Sequence, residues 1–188
     1  MEKKGRLIIL SGPSGVGKGT IREQLFENKE LNLAYSISMT TRKARVNETN
    51  GKDYFFVSEH DFLESIANNE LIEWAEFVGN YYGTPKQYVD KLLAEGKNVV
   101  LEIEVQGATQ VIASCPKVLS IFIVPPSQEE LERRIRSRRT ETEEVVKARL
   151  KKAAAEMDVV NDYDFVVENS TVANAVNEIT QIIKDNTY

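Results

Sequence analysis

Residues 11–20, "SGPSGVGKGT", decide the fold because they join a buried strand to a helix through a loop rich in glycine. The apolar run "RLIIL" (6–10) before them predicts a strand, and "KGTIREQLFEN" (18–28) predicts a helix with one apolar face. The spacing G-x-x-x-x-G-K is typical of a phosphate-binding loop, because glycines let backbone N–H groups turn inward around phosphate oxygens. Lys18 would neutralise part of the phosphate charge. The sequence therefore predicts a nucleotide phosphate site between the first strand and the first helix.

The residue after the lysine departs from the usual motif. Gly19 stands where a Ser or Thr hydroxyl usually contacts Mg²⁺, and Thr20 follows one position later. Because Mg²⁺ keeps several water ligands and binds substrate phosphates, we expect no dedicated protein metal site. The ion would be held by nucleotide and water, with Thr20 as a possible ligand. The dinucleotide fingerprint G-x-G-x-x-G is excluded, because Thr20 stands at the position of its third glycine.

The composition limits the class of protein. Apolar residues make up 41% of the 188 residues and charged residues 28%, as in ordinary globular proteins. No apolar run has the length of a membrane span or of a signal peptide. The single cysteine, Cys115, excludes an internal disulfide, so we expect a cytoplasmic protein. The net charge of −5 argues against a nucleic-acid partner.

Apolar runs alternate with helical segments along most of the chain. Further strands are predicted at 98–105, 118–124 and 164–169, and further helices at 85–96, from Ser127 onward, and at about 172–184. Strands separated by helices indicate a parallel sheet that is covered on both faces. The expected fold class is therefore α/β.

Two segments interrupt this alternation. Residues 35–84 are rich in aromatic and β-branched residues and hold one predicted helix at about 59–68, which indicates a small mixed β insertion. Residues 127–158 are helical and charged, with narrow apolar faces that suit a mobile cover. The remaining ranges form the predicted core domain: 1–34, 85–126 and 159–188.

The insertion carries side chains that suit a phosphate monoester. Arg42 and Arg45 lie close together in "SISMTTRKAR", and two guanidinium groups on one short segment can grip a phosphate. Tyr54 and Tyr82 add hydroxyl donors on rigid rings. Each residue also has an ordinary structural explanation, a solvated surface for the arginines and core packing for the tyrosines. The prediction therefore depends on their combination beside a phosphate loop.

Glu73, in "LIEWAEF", is the candidate for recognition of a base. A carboxylate among apolar neighbours would accept two hydrogens from the N1 and N2 edge of guanine, and Ser38 and Thr84 are candidates for its O6. Adenine has no such pair of donors and would leave the carboxylate unpaired. The alternative is that Glu73 is an exposed strand residue, because the apolar alternation over 71–77 is imperfect.

These segments together resemble the guanylate kinase family. The matching stretches occur in the family's order over nearly the whole chain: "GPSGVGKGT", "SISMTTRKAR", "NGKDYFF", "IEWAEF", "GNYYGT", "LEIEVQGA", "PPS" and "RRTETEE". The resemblance implies the P-loop nucleoside monophosphate kinase fold, with a parallel five-stranded core sheet, a GMP-binding insertion at 35–84 and a lid at 127–158. It also implies transfer of the γ-phosphoryl group of ATP to GMP, giving ADP and GDP in purine nucleotide metabolism, with Mg²⁺.

The resemblance also implies roles for individual residues. Those expected to bind ATP are Gly12, Pro13, Ser14, Gly15, Val16, Gly17, Lys18, Gly19, Thr20 and Asn169. Those expected to bind GMP are Ser38, Arg42, Arg45, Tyr54, Glu73, Tyr82, Thr84, Glu102 and Glu104, the last at a position where the family often has Asp. Those expected to act in catalysis are Lys18, Arg42, Arg134, Arg138 and Arg149.

Two other functions stay open on the sequence alone. A kinase for a different nucleoside monophosphate, such as AMP, is compatible with "GVGKGT", although "SISMTTRKAR" and "IEWAEF" argue against it. A non-catalytic scaffold domain related to guanylate kinases would typically have a degraded phosphate loop, whereas Lys18 and its glycines are intact. The sequence is compatible with a monomer or a homo-oligomer.

Overall fold

The computed structural model describes residues 4–137 and 142–187. In chain order its strands are β1 (Leu7–Ser11), β2 (Leu33–Tyr35), β3 (Met39–Thr40), β4 (Phe55–Phe56), β5 (Leu71–Phe77), β6 (Asn80–Pro85), β7 (Asn98–Glu102), β8 (Leu119–Val124) and β9 (Phe165–Glu168). Its α-helices are α1 (Lys18–Glu27), α2 (Glu59–Ala67), α3 (Lys86–Ala94), α4 (Val105–Ser114), α5 (Gln128–Ser137), α6 (Glu143–Met157) and α7 (Val172–Thr187). Among the residues described, no helix has both the length and the apolar character to cross a membrane.

The core is a five-stranded parallel sheet in the order β2-β7-β1-β8-β9, which confirms the predicted fold class. The central strand β1 is buried, with Ile8 paired to Val100 on one side and to Leu119 on the other. Strands flanked by neighbours and covered on both faces become continuous apolar runs, as "LIIL" already indicates. The loop that follows β1 therefore leaves the middle of the sheet at its carboxyl edge, where ligands bind in open α/β sheets.

Alternate side chains of β1 enter two apolar cores, because successive residues of a strand point to opposite faces. Ile8 and Leu10 belong to the core formed with α1 and α7, which includes Ile21. Ile9 belongs to the core formed with α3 and α4, which includes Val89. This packing holds the end of β1, and with it the following loop, in a fixed position.

The insertion forms a second, mixed sheet in the order β4-β3-β6-β5. Strands β3 and β4 are parallel, whereas β6 is antiparallel to both β3 and β5. Helix α2 covers this sheet, and Phe62 stacks on Tyr81 with ring centroids 5.4 Å apart. The edges of the insertion differ slightly from the predicted range 35–84, because Tyr35 belongs to the core sheet and Pro85 still belongs to β6.

Helix α4 is a correction to the sequence prediction. The apolar run 98–105 predicts one long strand, but β7 ends at Glu102 and α4 begins at Val105. Beyond the strand the apolar residues change to helical spacing, and Ala108 and Val111 are both fully buried against the core sheet. The two-residue gap between strand and helix lies at the carboxyl edge of the sheet, beside the loop after β1.

Candidate functional site

The phosphate loop, residues 12–17, has a backbone that only glycine adopts readily. Gly12, Gly15 and Gly17 have φ values of 145°, 90° and 101°. A Cβ at Gly12 would also collide with the carbonyl oxygen of Ile123 in β8. Gly17 is the N-cap of α1, so the positive end of this helix faces the loop. This backbone geometry is of the kind that binds anions, and the phosphate site itself stays a prediction.

Lys18 folds back over the phosphate loop. Its ammonium group donates hydrogen bonds to the carbonyl oxygens of Gly12 and Pro13, the second at 3.2 Å. Burial lowers the pKa of Lys18, and nearby carboxylates, of which Glu156 has the largest effect, oppose the shift. A partly desolvated cation held at an anion-binding loop is suited to a phosphate group.

Helix α6 lies over the phosphate loop with one charged face. Arg149 donates a hydrogen bond to Oγ of Ser14 at 2.8 Å. Two turns along the helix, Glu156 is only 9% exposed, and burial raises the pKa of its carboxyl group. Glu156 is not among the site residues that the sequence predicts. Its position directly after three alanines, in the run "AAAEM", is the signal that would have indicated a carboxylate packed against the core.

Helix α5 contributes a second arginine to the same loop. Arg134 donates to the carbonyl oxygens of Val16 at 3.2 Å and Asn169 at 3.0 Å, and Glu130 accepts from its Nε at 2.7 Å. Of the three arginines within 127–158 that the resemblance implies in catalysis, Arg134 and Arg149 thus meet at the phosphate loop. The third, Arg138, lies outside the described residues.

Asn169 lies behind the phosphate loop, at the end of β9. It is 2% exposed, and its Nδ2 donates to the carbonyl oxygen of Val16 at 2.7 Å. Its buried Oδ1 accepts no hydrogen bond from the residues that the structure describes. Buried acceptors in native proteins are usually paired, so this oxygen is a candidate to bind an amino group of a ligand.

A cavity of about 290 Å³ lies between the second sheet and the carboxyl end of β7. We call it the inter-sheet cavity. Its lining residues are Ser38, Tyr54, Glu73, Ala75, Phe77, Tyr82, Gly83, Glu102, Ile103, Glu104 and Gly107. Residues from distant parts of the sequence, most of them predicted site residues, therefore meet in one pocket of a size suited to a small ligand.

Glu73 is buried in the wall of the inter-sheet cavity, at 6% exposure, so the alternative of an exposed strand residue is wrong. The pairing of β5 with β6 shifts between Leu71 and Trp74, and this irregularity explains the imperfect alternation in the sequence. Thr84 donates a hydrogen bond to Oε1 of Glu73 at 2.6 Å. A Cβ at Gly107 would collide with Oε2, so α4 needs glycine there to admit the carboxylate.

Glu73 is expected to reduce stability at neutral pH. Burial raises the pKa of Glu73 above its ordinary value of 4.5, and the bond from Thr84 opposes the shift only in part. The contribution of Glu73 to stability is therefore greatest below its pKa in the unfolded state. This contribution is lost as pH rises through its pKa in the folded state. We expect Glu73→Gln, which stays neutral, to raise Tm at pH 8 by roughly 2–4 °C, corresponding to about 1 kcal/mol. Calorimetry should show that the difference in Tm between Glu73→Gln and the parent protein shrinks toward pH 4. A difference in Tm that is independent of pH would contradict this explanation.

Arg42 lies near the two tyrosines but is already paired. Its Nη2 and Nη1 donate to the two carboxylate oxygens of Glu48 at 2.8 Å and 3.0 Å, and these bonds raise its pKa. The guanidinium lies 5.4 Å from the centroid of the Tyr54 ring, whose edge meets Tyr82. Arg45 is exposed, and it contributes a backbone N–H to Glu48 at 2.8 Å. Glu48 is not among the site residues that the sequence predicts, yet a phosphate group bound by Arg42 would have to displace its carboxylate.

Glu102 lies between the phosphate loop and the inter-sheet cavity. Its Oε2 is 3.1 Å from Nη1 of Arg22, whose guanidinium stacks over the Tyr35 ring at 4.7 Å. Glu102 and Lys18 are close enough for their charges to interact, which connects the cavity to the loop. Arg22 is not among the site residues that the sequence predicts, because its position one turn into α1 gives no sign of this pairing.

No dedicated metal site is visible within 4–137 and 142–187. These ranges contain no group of His, Cys, Asp and Glu side chains that could hold a metal ion. Thr20 is exposed in the first turn of α1, next to the phosphate loop. The donor set fits a cation that is bound mainly by substrate phosphates and water, because Mg²⁺ typically uses few protein ligands beside a nucleotide.

The core sheet and the phosphate loop define the class: an α/β protein with the P-loop nucleotide-binding architecture, to which a second sheet adds an acid-lined cavity. The family model for guanylate kinase matches residues 4–186. The chain therefore belongs to the guanylate kinase family.

Relatives support this assignment over almost the entire chain. A guanylate kinase of Mesoplasma florum is 57% identical over 183 residues, which cover 97% of this chain and 62% of that relative. A guanylate kinase of Bacillus subtilis is 52% identical over 183 residues, which cover 97% of this chain and 90% of that relative. The crystal structure of a guanylate kinase from Anaplasma phagocytophilum superimposes with a TM-score of 0.78 at 36% identity, covering 100% of this chain and 88% of that one. The chain thus spans about three fifths of the Mesoplasma relative but most of the other two.

Proposed function

We propose that this protein transfers the γ-phosphoryl group of ATP to GMP, giving ADP and GDP. The observation that supports it most directly is Glu73, a carboxylate buried in a cavity beside a phosphate loop. Guanine offers two adjacent N–H groups to such a carboxylate, and adenine offers none at that edge. A buried acceptor without its donors is unfavourable, so this geometry favours one purine over the other.

The donor nucleotide would bind at the phosphate loop. Backbone N–H groups of the phosphate loop, the N-terminal end of α1 and Lys18 would hold the β- and γ-phosphates. The free Oδ1 of Asn169 would accept a hydrogen bond from the adenine amino group. Nucleotide and water would be the main ligands of Mg²⁺, with Thr20 as a candidate ligand, and the ion would supply neutralisation of phosphate charge.

The acceptor would bind in the inter-sheet cavity. Its base would face Glu73, with Ser38 and Thr84 near the guanine oxygen. Its phosphate would lie near Tyr54 and Tyr82 and would replace Glu48 as the salt-bridge partner of Arg42. Arg45 would turn inward from its exposed position, and Glu102 and Glu104 would line the path to the donor.

Phosphoryl transfer needs accurate positioning and charge neutralisation more than a strong base. Lys18, Arg134 and Arg149 are in contact with the phosphate loop and would stabilise the charge on the transferring group. Arg138 is proposed for the same role from the family resemblance. Closure of residues 127–158 over both substrates would exclude water and favour transfer to GMP over hydrolysis.

The proposal divides the chain by task. The core domain (1–34, 85–126 and 159–188) would bind ATP, the insertion (35–84) would bind GMP, and the lid (127–158) would close over them. The protein would act on these small molecules in the cytoplasm, where ATP and GMP are formed and where a single unpaired cysteine is stable.

The deciding experiment measures ADP formation from ATP and Mg²⁺ with GMP, AMP, CMP or UMP as acceptor. Turnover confined to GMP supports the proposal. Equal turnover with AMP would keep a kinase but overturn the role of Glu73 in base recognition. ATP binding without turnover on any acceptor would mean that the acceptor site or the lid is wrongly assigned, whereas an absence of ATP binding would favour the scaffold alternative.

Arg42→Ala is expected to raise KM for GMP by roughly 10- to 100-fold, because charge-assisted bonds to a phosphate contribute about 1.5–3 kcal/mol. The KM for ATP should change little. Steady-state kinetics with each substrate varied in turn would test this, and Lys43→Ala, an exposed neighbour, is the matched control. An unchanged KM for GMP would remove Arg42 from the acceptor site.

A further inference from the structure

We propose that Lys152 is a positioning residue that ties the lid helix α6 to the wall of the inter-sheet cavity. The inference deepens the proposed function and rests on it. Lys152 is neither part of the phosphate loop nor a lining residue of the cavity. It would act through two residues that do line the cavity, Glu104 and Phe77.

The contacts of Lys152 join three parts of the molecule. Its Nζ lies 2.7 Å from Oε2 of Glu104, at the start of α4 in the core. The same atom lies 4.9 Å from the centroid of the Phe77 ring, at the end of β5 in the second sheet. It also lies 3.8 Å from Oε1 of Glu156, one turn further along α6. One side chain thus connects the helix to the core and to the insertion.

Charge balance gives Lys152 a reason to be a cation. The inter-sheet cavity is lined by Glu73, Glu102 and Glu104, yet its proposed ligand carries a phosphate. Arg22 offsets Glu102 and Lys152 offsets Glu104. Loss of the Lys152 charge would leave the cavity more negative and oppose the entry of an anion.

The aromatic contact gives Lys152 a second task. Phe77 is 50% exposed at the tip of the hairpin between β5 and β6, and an ammonium group over its ring holds the ring by a cation–π interaction. The methylene stem of a lysine also packs along apolar surface. Lys152 therefore orients the ring that forms one wall of the cavity.

Helix α6 also contacts the phosphate loop, where the donor nucleotide would bind. Arg149, Lys152 and Glu156 follow one another at helical spacing, so they share one face. Arg149 contacts Ser14 in the phosphate loop, and Glu156 is close to Lys18. The same face thus places Arg149 on the phosphate loop, Glu156 near Lys18, and Lys152 between them at the acceptor cavity.

The test compares Lys152→Ala, Lys152→Arg and the control Lys151→Ala, an exposed neighbour on α6. Loss of one exposed ion pair or one cation–π contact typically weakens an equilibrium constant by roughly two- to fivefold. Because Lys152→Ala removes one of each, we expect it to raise KM for GMP about 5- to 10-fold. The KM for ATP and Tm should stay close to those of the parent protein. Lys152→Arg should restore most of the loss, and the control should behave as the parent.

A double-mutant cycle with Phe77→Leu separates positioning from general stability. If Lys152 acts through the ring, the double variant should be no worse than Lys152→Ala with GMP, so the two effects will not add. Independent, additive effects would overturn the role of the ring. A drop in Tm with equal losses for both substrates would instead indicate a purely structural role and overturn the proposal.

The outcomes for the inference and for the proposed function are distinct. A parent protein that transfers phosphate to GMP, with Lys152→Ala indistinguishable from Lys151→Ala, overturns only the positioning role. A parent protein without GMP turnover overturns the proposed function, and the positioning role fails with it. Increased salt should raise KM for GMP less in Lys152→Ala than in the parent protein. Salt screens the attraction between the Lys152 charge and the GMP phosphate, and this attraction is absent from the variant.

Discussion

Glu73→Ala is expected to lower kcat/KM for GMP by about 10²–10⁴-fold, because it removes two hydrogen bonds to a charged acceptor worth about 1.5–3 kcal/mol each. The loss should be much smaller for AMP, whose base does not use the carboxylate. The ratio of kcat/KM for GMP to that for AMP should therefore collapse. Competing acceptor assays in one reaction mixture would measure this ratio directly.

Two further variants make the Glu73 result specific. Glu73→Gln keeps the shape and the bond from Thr84 but presents an amide donor to guanine, so it should lose nearly as much GMP activity as alanine. Glu76→Gln changes an exposed carboxylate on the same strand and should behave as the parent protein. Because Glu73 is a buried charge with a raised pKa, its replacement should not lower Tm. A retained preference for GMP in Glu73→Ala would place base recognition elsewhere.

The phosphate loop and the core sheet could be predicted from sequence because their causes are local. Glycine at positive φ, a lysine at the start of α1 and a continuous apolar strand such as β1 each leave a pattern within about ten residues. The mixed second sheet also follows from a local excess of aromatic and β-branched residues. The start of helix α4 could not be predicted, because the apolar run of β7 continues into the helix without a turn residue.

The ion pairs of the site could not be predicted, because they depend on which distant segments meet. Arg22 reaches Glu102, and Lys152 reaches Glu104, across separations that no sequence period encodes. Glu48 is a different case, since it lies six residues after Arg42 and its pairing depends on the turn of a loop. These partners matter because they determine what a substrate must displace on entering.

Glu156 illustrates how a tertiary contact changes the meaning of a residue. On α6 it follows three alanines and looks like part of an ordinary amphipathic helix. In the fold it is nearly buried beside Lys18 and raises the pKa of that ammonium group against the effect of burial. Carboxylates of the core and of α6 thus offset part of the effect of burial on the pKa of Lys18.

Lys18→Met is expected to lower kcat by about 10²–10³-fold, because removing one preorganised charge from a transferring group typically costs that much. Methionine keeps the length and apolar stem of lysine but cannot neutralise phosphate or donate to Gly12 and Pro13. Lys18→Arg keeps the charge on a larger planar group and should recover only part of the rate. Rapid-quench measurement of a single turnover would isolate the chemical step from product release.

The Lys18 result is specific only if ATP still binds. The backbone N–H groups of the phosphate loop and Mg²⁺ remain in Lys18→Met, so we expect Kd for ATP to rise by no more than about tenfold while kcat falls much further. Lys91→Ala, an exposed lysine on α3, controls for loss of a surface charge. Equal losses in ATP affinity and kcat/KM with an unchanged kcat would mean that Lys18 stabilises the bound ground state and the transition state equally. In that case the charge stabilisation specific to the transition state would have to come from Arg134 and Arg149.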